Sequence, residues 1–384
     1  MSARIKALDL FAGTGWGVAC QRLGIKEAVV EIMPEAVETR TANGMETIYH
    51  DVWDGLQLTA EQHRDAYGSY GLLIASPPCQ TFSLAGKGAG RAALDEVLEA
   101  IDLHAYKDAA ALLAFGEAHD MRTALVLSPL AYVWRDRPRL VAMEQVPTVL
   151  PVWEACAEVM REWGYEVKAE ILNAEQYGVP QTRKRAILVA RRGGPVSLPT
   201  PTHSRYYSRT PDKLDPGVRK WVSMAEALGW RGMTTRPSPT ITGGGTEAGG
   251  AEPIAKYHER YTSAPGWVGA TDRLTTNEAA ALQSYPVGLR PEVAAWKWVD
   301  APATTIAGDP RITAREHHFH GEQSKTSLRL TKDEAVVLQS YERPFIWCGT
   351  KTKQFLQIGN AVPPLLAEHI LAALVGIPTV EVAA

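Results

Sequence analysis

The strongest constraint on the fold is an alternation of short apolar runs with helical patterns through the first half of the chain. Strands are predicted at "IKALDLF", "EAVVEIM", "ETIYHDV", "YGLLIAS", "RPRLVAMEQ" and "YEVKAEILNA". Helices are predicted at "GWGVACQRLG", "PEAVETRTANG" and "LPVWEACAEVMREWG", with Gly24 and Gly44 as C-terminal stops. This rhythm predicts a parallel, doubly wound α/β sheet.

The rhythm ends at "RRGGPVSLPTPTHS", where proline and glycine cluster and a domain boundary is predicted. We therefore expect an α/β domain over residues 1–192 and a smaller, irregular α+β domain over 193–345. The final segment, 346–384, contains the apolar helix pattern "PPLLAEHILAALVG". Such a helix needs an apolar partner, so we expect this segment to return to the first domain.

Composition excludes several classes of protein. No stretch reaches the roughly 20 continuous apolar residues of a membrane helix, so no membrane partner is expected. The 4 cysteines form no C-x-x-C pair, which argues against a zinc site or a disulfide framework and fits a reducing cytoplasm. Net charge is only −3, yet residues 181–220 carry 10 Lys/Arg against 2 acids. That basic segment is either a solvated loop or a surface for phosphates.

A glycine-rich turn follows the first predicted strand. "DLFAGTGWG" places Gly13, Gly15 and Gly17 between a strand and a helix, where backbone can approach a ligand closely. A dinucleotide fingerprint needs a further glycine at position 18, which is Val18, so NAD is disfavoured. Glu31 ends the second strand, where a ribose diol is usually held. The turn predicts a nucleotide-type cofactor; a tight turn without a ligand is the alternative.

Reactive side chains stand at the ends of later strands. Cys79 follows Pro77 and Pro78 directly, so a stiff turn presents a thiol at the edge where such sheets place their sites. It is either a nucleophile or a small buried hydrophobe. Glu144 ends an apolar strand, an unfavourable place for an acid without a role. Gln181, Arg183 and Arg185 alternate and are expected to share one face of a strand. A structural ion pair between Glu144 and one of these arginines is the alternative to a catalytic role.

Together these motifs carry a family resemblance. Phe11-x-Gly-x-Gly, Pro78-Cys79-Gln80, Glu144-x-Val146, Gln181-x-Arg183-x-Arg185 and "QIGNAVPP" at 357–364 occur in this order. The set resembles the cytosine-C5 DNA methyltransferases over residues 5–190 and 329–375. The resemblance implies a Rossmann-like sheet that uses S-adenosyl-L-methionine, and it makes the middle of the chain a target-recognition domain.

The chemistry of that family accounts for these residue types. A thiolate that adds to C6 of cytosine makes C5 nucleophilic toward a sulfonium methyl group, which implies that Cys79 is the nucleophile. A carboxyl group at N3 implies Glu144, and donors near O2 imply Arg183 and Arg185. The cytosine must leave the duplex for this chemistry. The resemblance implies cofactor contacts at Phe11, Gly13, Gly15, Glu31, Met33, Asp51, Pro77, Asn360 and Val362.

DNA contacts are expected on the segments that follow the catalytic motifs. We assign them to Gln80, Ser83, Arg91, Gln181, Arg205 and Arg209. The expected partner is double-stranded DNA, with a cognate restriction endonuclease as a separately acting companion. We expect a cytoplasmic monomer without a metal, encoded by a bacterium or a phage.

Two features depart from the family pattern. Gln145 stands where the family usually has Asn, and its extra methylene is expected to shift a supporting hydrogen bond. The stretch between Cys79 and Glu144 is long and includes a helical pattern, "ALDEVLEAIDLHAYKDAAALLAF". A tRNA cytosine methyltransferase and an inactive DNA-binding relative are the alternative interpretations.

The small domain also contains a repeat. "RLTTNEAAALQSY" at 273–285 and "RLTKDEAVVLQSY" at 329–341 agree at 9 of 13 positions. Each begins with a capping box, Thr275 to Glu278 and Thr331 to Glu334, and each follows a strand-like piece, "PSPTITG" or "PATTIAG". The duplicated unit therefore spans 237–285 and 302–341. The first copy is either a spacer or an extension of the DNA-facing surface.

Overall fold

A computed structural model describes most of the chain. The described residues are 5–48, 51–78, 82, 89–223, 226–227, 240–242, 303–304, 311–313, 328–329, 332–342 and 344–378. The strands are β1 (Lys6–Leu10), β2 (Lys26–Val30), β3 (Leu72–Ala75), β4 (Leu140–Gln145), β5 (Tyr165–Asn173), β6 (Gln181–Thr182), β7 (Lys184–Arg192), β8 (Thr240–Thr242), β9 (Ala303–Thr304), β10 (Arg311–Thr313) and β11 (Leu328–Arg329). The α-helices are α1 (Gly15–Leu23), α2 (Pro34–Ala42), α3 (Val52–Leu56), α4 (Ala60–Tyr67), α5 (Ala89–Asp102), α6 (Ala109–Ala118), α7 (Met121–Ala124), α8 (Ser128–Asp136), α9 (Leu150–Glu162), α10 (Lys332–Leu338), α11 (Lys351–Asn360) and α12 (Pro364–Val375).

The main sheet has the order β2-β1-β3-β4-β7-β5. β1 pairs in parallel with β2 and β3, and β3 pairs in parallel with β4. The α/β class is confirmed, but the expectation of a wholly parallel sheet is wrong, because β7 runs antiparallel to both β4 and β5. The link between β5 and β7 is too short for a crossover helix, so the chain must return antiparallel.

Both faces of the sheet are covered, and alternate residues of each strand serve the two faces. Leu73 and Met143 point into one core, which α5, α8 and α9 cover. Leu72 and Ile74 point into the other, where α12 contributes Leu366 and Ile370. Each such buried aliphatic side chain stabilises the fold by about 1.5–3 kcal/mol. The C-terminal helix thus packs on the first sheet beside α1.

The insertion between β3 and β4 consists of α5 to α8. The predicted helical pattern forms two helices, α5 and α6, separated by a turn around Ala105–Lys107. Val97, Ile101 and Leu112 from this insertion lie in the same core as β3 and β4. The insertion therefore enlarges the core. α5 begins at Ala89, so the last three residues of the glycine-rich stretch "SLAGKGAGR" at 83–91 lie within this helix.

One predicted strand is wrong. Residues 46–48 and 51 of "ETIYHDV" lie outside every strand and Val52 begins α3, with Ile48 N–H donating to Val29 O at 2.9 Å. Asp51 instead caps α3, its carboxylate accepting from Trp53 N–H. A capping side chain competes with strand pairing, which explains the early helix start.

The remaining strands form two small sheets outside the main one. β6 pairs in parallel with β9, and the order β11-β10-β8 makes an antiparallel sheet. Both strand-like pieces of the repeat contain a strand, β8 in the first and β9 in the second, which confirms that part of the prediction. The helix expected at 273–285, with Thr275, Glu278 and Leu282, lies outside the described residues. In the second copy α10 begins directly after Thr331, and Leu338 is fully buried. The domain boundaries at 192/193 and 345/346 stay predictions.

One stretch meets the length and apolarity of a membrane span. Lys351–Val375 has a mean hydropathy of 1.4 in its most apolar window, of which 78% is buried. It comprises α11 and α12, and the apolar side chains of α12 lie in the second core. Burial against the sheet accounts for this apolarity.

Candidate active site

The turn after β1 is held by an acid from β2. Phe11 and Gly13 both have a positive φ, of 59° and 49°. Gly13 N–H donates to Glu31 Oε2 at 2.9 Å, and Met33 N–H donates to Glu31 Oε1 at 2.8 Å. The Glu31 carboxylate is therefore aimed by two backbone donors and lies directly against the turn.

The three glycines of this turn have different tasks. A Cβ on Gly13 would meet nothing within 4 Å, so the chain is open there. A Cβ on Gly15 would lie 1.9 Å from Val362 O, and one on Gly17 would lie 2.7 Å from Met45 Sδ. Gly15 thus permits contact with the "GNAV" segment, and Gly17 permits packing against α2 and its C-terminal loop. Of the three Cβ positions, only that of Gly13 is open.

The remaining predicted cofactor residues lie at the ends of neighbouring elements. Phe11 packs partly buried on the first core, and Pro77 is buried at the end of β3. Asp51 is half-buried at the start of α3, with Oδ1 accepting from Trp53 N–H at 2.9 Å. Val362 is buried, and Asn360 is exposed. Trp16 Nε1 donates to Ser76 Oγ at 2.8 Å and ties α1 to the β3 exit.

Glu144 and an arginine form a buried ion pair at the end of β4. Glu144 is 5% exposed, and Arg185 Nε lies 2.7 Å from its Oε1. β3 and β4 pair with Ala75 opposite Met143, so the chain that leads to Cys79 departs next to Glu144. The ion pair between Glu144 and an arginine, which was the alternative to a catalytic role, is therefore present. Its position beside the segment that leads to Cys79 fits a catalytic role as well.

Gln145 spans two backbone groups. Its Nε2 donates to Pro77 O at 2.6 Å, and its Oε1 accepts from Val146 N–H at 2.6 Å. The side chain is only 3% exposed. Gln145 therefore fastens the first proline of the Pro-Pro-Cys turn to β4. Sequence reasoning treated Gln145 as a departure, whereas its amide is a direct support of the turn.

Gln181, Arg183 and Arg185 do not share one strand, contrary to the expectation. Gln181 N–H donates to Val179 O and Arg183 N–H to Gln181 O, so the chain bends between β6 and β7. As a result the three side chains diverge. Arg183 donates through Nη1 to Gly359 O at 2.8 Å, Gln181 donates to Leu338 O at 3.3 Å, and Arg185 pairs with Glu144.

The second copy of the repeat is anchored to the catalytic elements by consecutive residues. Gln339 Nε2 donates to Ile358 O at 2.6 Å, and Ser340 Oγ accepts from Leu365 N–H at 3.1 Å. The Tyr341 hydroxyl lies 2.6 Å from Thr14 Oγ1, next to the glycine turn. The "LQSY" end thus connects the second copy of the repeat to the turn after β1 and to the "GNAV" segment, a role that sequence reasoning missed.

The basic segment contains a folded loop around one acid. Asp215 accepts from Arg205 N–H at 2.8 Å and from the Tyr207 hydroxyl at 2.7 Å, and these bonds lower the pKa of its carboxyl. Lys213 Nζ lies 4.2 Å from the Tyr207 ring centre. Arg205 is half-buried and Arg209 is exposed. Hydrogen bonds to Asp215 and the Tyr207 ring thus fix the backbone at Arg205 and the ammonium group of Lys213.

Several predicted site residues lie outside the described part. Cys79, Gln80 and Ser83 are among them. Arg91 lies in α5, of which the backbone is described at that position. Their roles stay predictions.

Comparison with protein families resolves what these elements belong to. The family model for C-5 cytosine-specific DNA methylase matches residues 5–100 and 115–376. The chain belongs to this family. It is therefore a methyltransferase of the class that modifies C5 of cytosine in DNA. The model skips residues 101–114, which are the end of α5, the Ala105–Lys107 turn and the start of α6. Within the insertion, the family model therefore matches the first part of α5 and everything from residue 115 onward, and leaves only residues 101–114 unmatched.

Individual relatives agree with the family. The Type II methyltransferase M1.HphI of Haemophilus parahaemolyticus is 28% identical over 97% of this chain and 87% of its own. The Type II methyltransferase M.HgiDI of Herpetosiphon aurantiacus is 27% identical over 96% and 94%. Among solved structures, a putative DNA modification methyltransferase encoded in an Escherichia coli prophage matches with a TM-score of 0.54, at 19% identity over 97% and 99% of the chains. Dnmt2 methyltransferase of S. pombe matches with a TM-score of 0.51, at 15% identity over 97% and 99%. These structures share the fold.

Proposed function

We propose that this chain transfers a methyl group from S-adenosyl-L-methionine to C5 of a cytosine flipped out of duplex DNA, through a covalent bond between Cys79 and C6. The observation that carries the proposal is the cluster at the β3 and β4 ends. There Gln145 ties down Pro77, two residues before Cys79, and Glu144 lies beside the same exit with Arg185 on its Oε1.

Glu144 is the group that we assign to the cytosine ring. One of its oxygens, Oε1, is held by Arg185, so its position is defined before substrate arrives. The carboxyl holds a proton at N3 of the base while the Cys79 thiolate adds to C6. Arg185 also supplies a donor for the charge near O2. Once C5 carries the methyl group, a base removes the C5 proton and the Cys79 thiolate leaves from C6.

Arg183 contributes by a different contact. It is fully buried and donates to Gly359 O, in the segment that contains Asn360 and Val362. We assign it to holding this segment against the site, in addition to the catalytic role that the family motif implies. Its hydrogen bond is to Gly359, the residue directly before Asn360, which we assign to the cofactor.

The residues around the glycine turn fit S-adenosyl-L-methionine. Open space at Gly13 and a carboxylate aimed by two N–H groups are what a nucleoside with a ribose diol requires. When bound, the cofactor supplies an electrophilic sulfonium methyl group. We assign its contacts to Phe11, Gly13, Gly15, Glu31, Met33, Asp51, Pro77, Asn360 and Val362.

Duplex DNA is the proposed substrate, and residues 193–345 form the proposed recognition domain. The DNA contacts that we propose are Gln80, Ser83, Arg91, Gln181, Arg205 and Arg209. The described cysteines are free thiols, buried at Cys20 and Cys156 and partly buried at Cys348, as the reducing cytoplasm proposed for a bacterial or phage-encoded intracellular protein allows. We propose a monomer that acts separately from any cognate endonuclease.

Purified chain incubated with methyl-labelled S-adenosyl-L-methionine tests the proposal. Duplex DNA and bulk tRNA are offered in parallel, and 5-methylcytosine is measured by mass spectrometry. We expect label in DNA, none in tRNA, and loss of the label in Cys79→Ser. Label in tRNA supports the tRNA alternative, and DNA binding without label supports the inactive relative. Sequencing the methylated sites then identifies the recognised sequence.

A further inference from the structure

A buried cation lies beneath the turn after β1. Arg40, in α2, is 0% exposed. Its Nη1 donates to Gly13 O at 2.7 Å, while its Nη2 donates to Glu27 Oε1 and to Glu46 O. One guanidinium thus connects the turn to β2 and to the loop after α2.

The Gly13 residue is therefore held at both of its backbone groups. Its N–H donates to Glu31, and its carbonyl accepts from Arg40. Gly13 has a φ of +49°, and glycine adopts positive and negative φ about equally well. Contacts with other residues must therefore select the observed conformation of Gly13. If the carbonyl bond is removed, the peptide can rotate while the N–H bond alone remains.

The surrounding charges make Arg40 hard to replace. Asp9 in β1 is fully buried, and burial, followed by the nearby Glu27, raises the pKa of its carboxyl well above the usual value. Among the described residues, neither Asp9 oxygen has a hydrogen-bond partner. Arg40 is the cation that acts on Asp9, against the acids Glu27 and Glu31.

The chain also reserves space for this guanidinium. A Cβ on Gly17 would lie 3.0 Å from Arg40 Nη1 and 3.0 Å from Glu27 Oε1. The third glycine of the turn therefore belongs to the arginine site and not to the ligand. If Arg40 served only to balance the charges of Asp9 and Glu27, its hydrogen bond to Gly13 O would not be needed.

We infer that Arg40 is a positioning residue for the cofactor, which holds the Gly13 turn through its carbonyl in the conformation that receives S-adenosyl-L-methionine. The inference rests on the proposed function, since it assigns the cofactor to this turn. The alternative is a buried ion pair that serves stability alone.

Paired substitutions separate the two roles. Arg40→Met leaves Glu27 as a buried charge without its partner and is expected to lower Tm strongly. Arg40→Met with Glu27→Gln removes both charges and is expected to recover much of that Tm. Glu27→Gln alone keeps the bond to Gly13. Arg191→Met is the matched control, because Arg191, near the C-terminal end of β7, also donates to a backbone carbonyl, Leu374 O of α12.

The measurements are Tm and the Kd of S-adenosyl-L-methionine by calorimetry, with kcat and KM as a second readout. We expect the double variant to bind the cofactor at least about tenfold more weakly, as the loss of a charged hydrogen bond implies, with KM raised more than kcat is lowered. Glu27→Gln and Arg191→Met should keep Kd within about twofold of the native value.

The role of Arg40 and the cofactor site itself can be refuted separately. A native Kd in the double variant, or in Arg40→Met assayed below its Tm should the double variant fail to fold, overturns the inference and leaves the proposed function intact. Failure of the unsubstituted protein to bind S-adenosyl-L-methionine overturns the proposed cofactor site itself.

Discussion

Gln145 provides the sharpest test of how this active site is supported. Its amide joins Pro77 O and Val146 N–H, each at 2.6 Å, from a side chain that is 3% exposed. Gln145→Leu keeps a similar volume but removes both bonds. Gln145→Asn shortens the side chain by one methylene, so we expect it to keep only one of them.

The cost follows from the two contacts. A hydrogen bond contributes about 1 kcal/mol net, and a buried group left without a partner costs about 1–3 kcal/mol. Gln145→Leu should therefore destabilise the fold by about 2–4 kcal/mol, and Gln145→Asn by about 1–2 kcal/mol. Because the bond to Pro77 positions the segment that leads to Cys79, a shift of about 1 Å there should lower kcat by about 100-fold.

Thermal unfolding and single-turnover methyl transfer measure the two effects. Tyr165→Phe is the matched control, since its hydroxyl also donates to a buried proline carbonyl, Pro138 O, before β4 begins. The control should lose stability and keep its rate. If Gln145→Leu keeps kcat within about twofold of the native value, or if Tyr165→Phe loses as much, the amide does not position the turn.

Three further outcomes are expected. Burial raises the pKa of Glu175 to about 7, so its carboxyl binds a proton more tightly in the folded than in the unfolded state. The free energy of unfolding should therefore fall as the pH rises from about 4.5 to about 7, by at most about 3 kcal/mol. Unfolding of Glu175→Gln should lose this pH dependence; an unchanged slope assigns it to other groups. Arg205→Ala and Arg209→Ala should each lower the slope of log affinity for DNA against log salt by about 1, and an unchanged slope places them in solvent. Tyr341→Phe leaves the Thr14 hydroxyl without this contact and should cost about 1–3 kcal/mol while raising KM for the cofactor; an unchanged Tm and KM refute the link.

The local parts of this structure were predictable from the sequence. The order β1, glycine turn, α1 and β2 follows from apolar runs and helix stops that are close along the chain. Glu31 at the end of β2 and Glu144 at the end of β4 follow from the same pattern. These features depend on neighbours within one strand or one helix, which the sequence states directly.

The direction of β7 and the divergence of Gln181, Arg183 and Arg185 were not predictable. The direction of β7 follows from the short link that joins it to β5. The divergence follows from a bend that two short-range backbone hydrogen bonds produce. Residue types specify neither feature. "ETIYHDV" was likewise misassigned as a strand, because the Asp51 cap prevails over an apolar pattern of few residues.

Residue chemistry alone determined that this chain carries a glycine turn, a Pro-Pro-Cys segment and an acid in the arrangement of a cytosine-C5 methyltransferase. The tertiary structure decided what supports them. Gln145 reaches Pro77 across 68 positions, and Arg40 reaches Gly13 across 27. Tyr341 reaches Thr14 across 327 positions. Such contacts exist only after the sheet has brought strand ends together, because each depends on a distance in space that sequence separation does not encode.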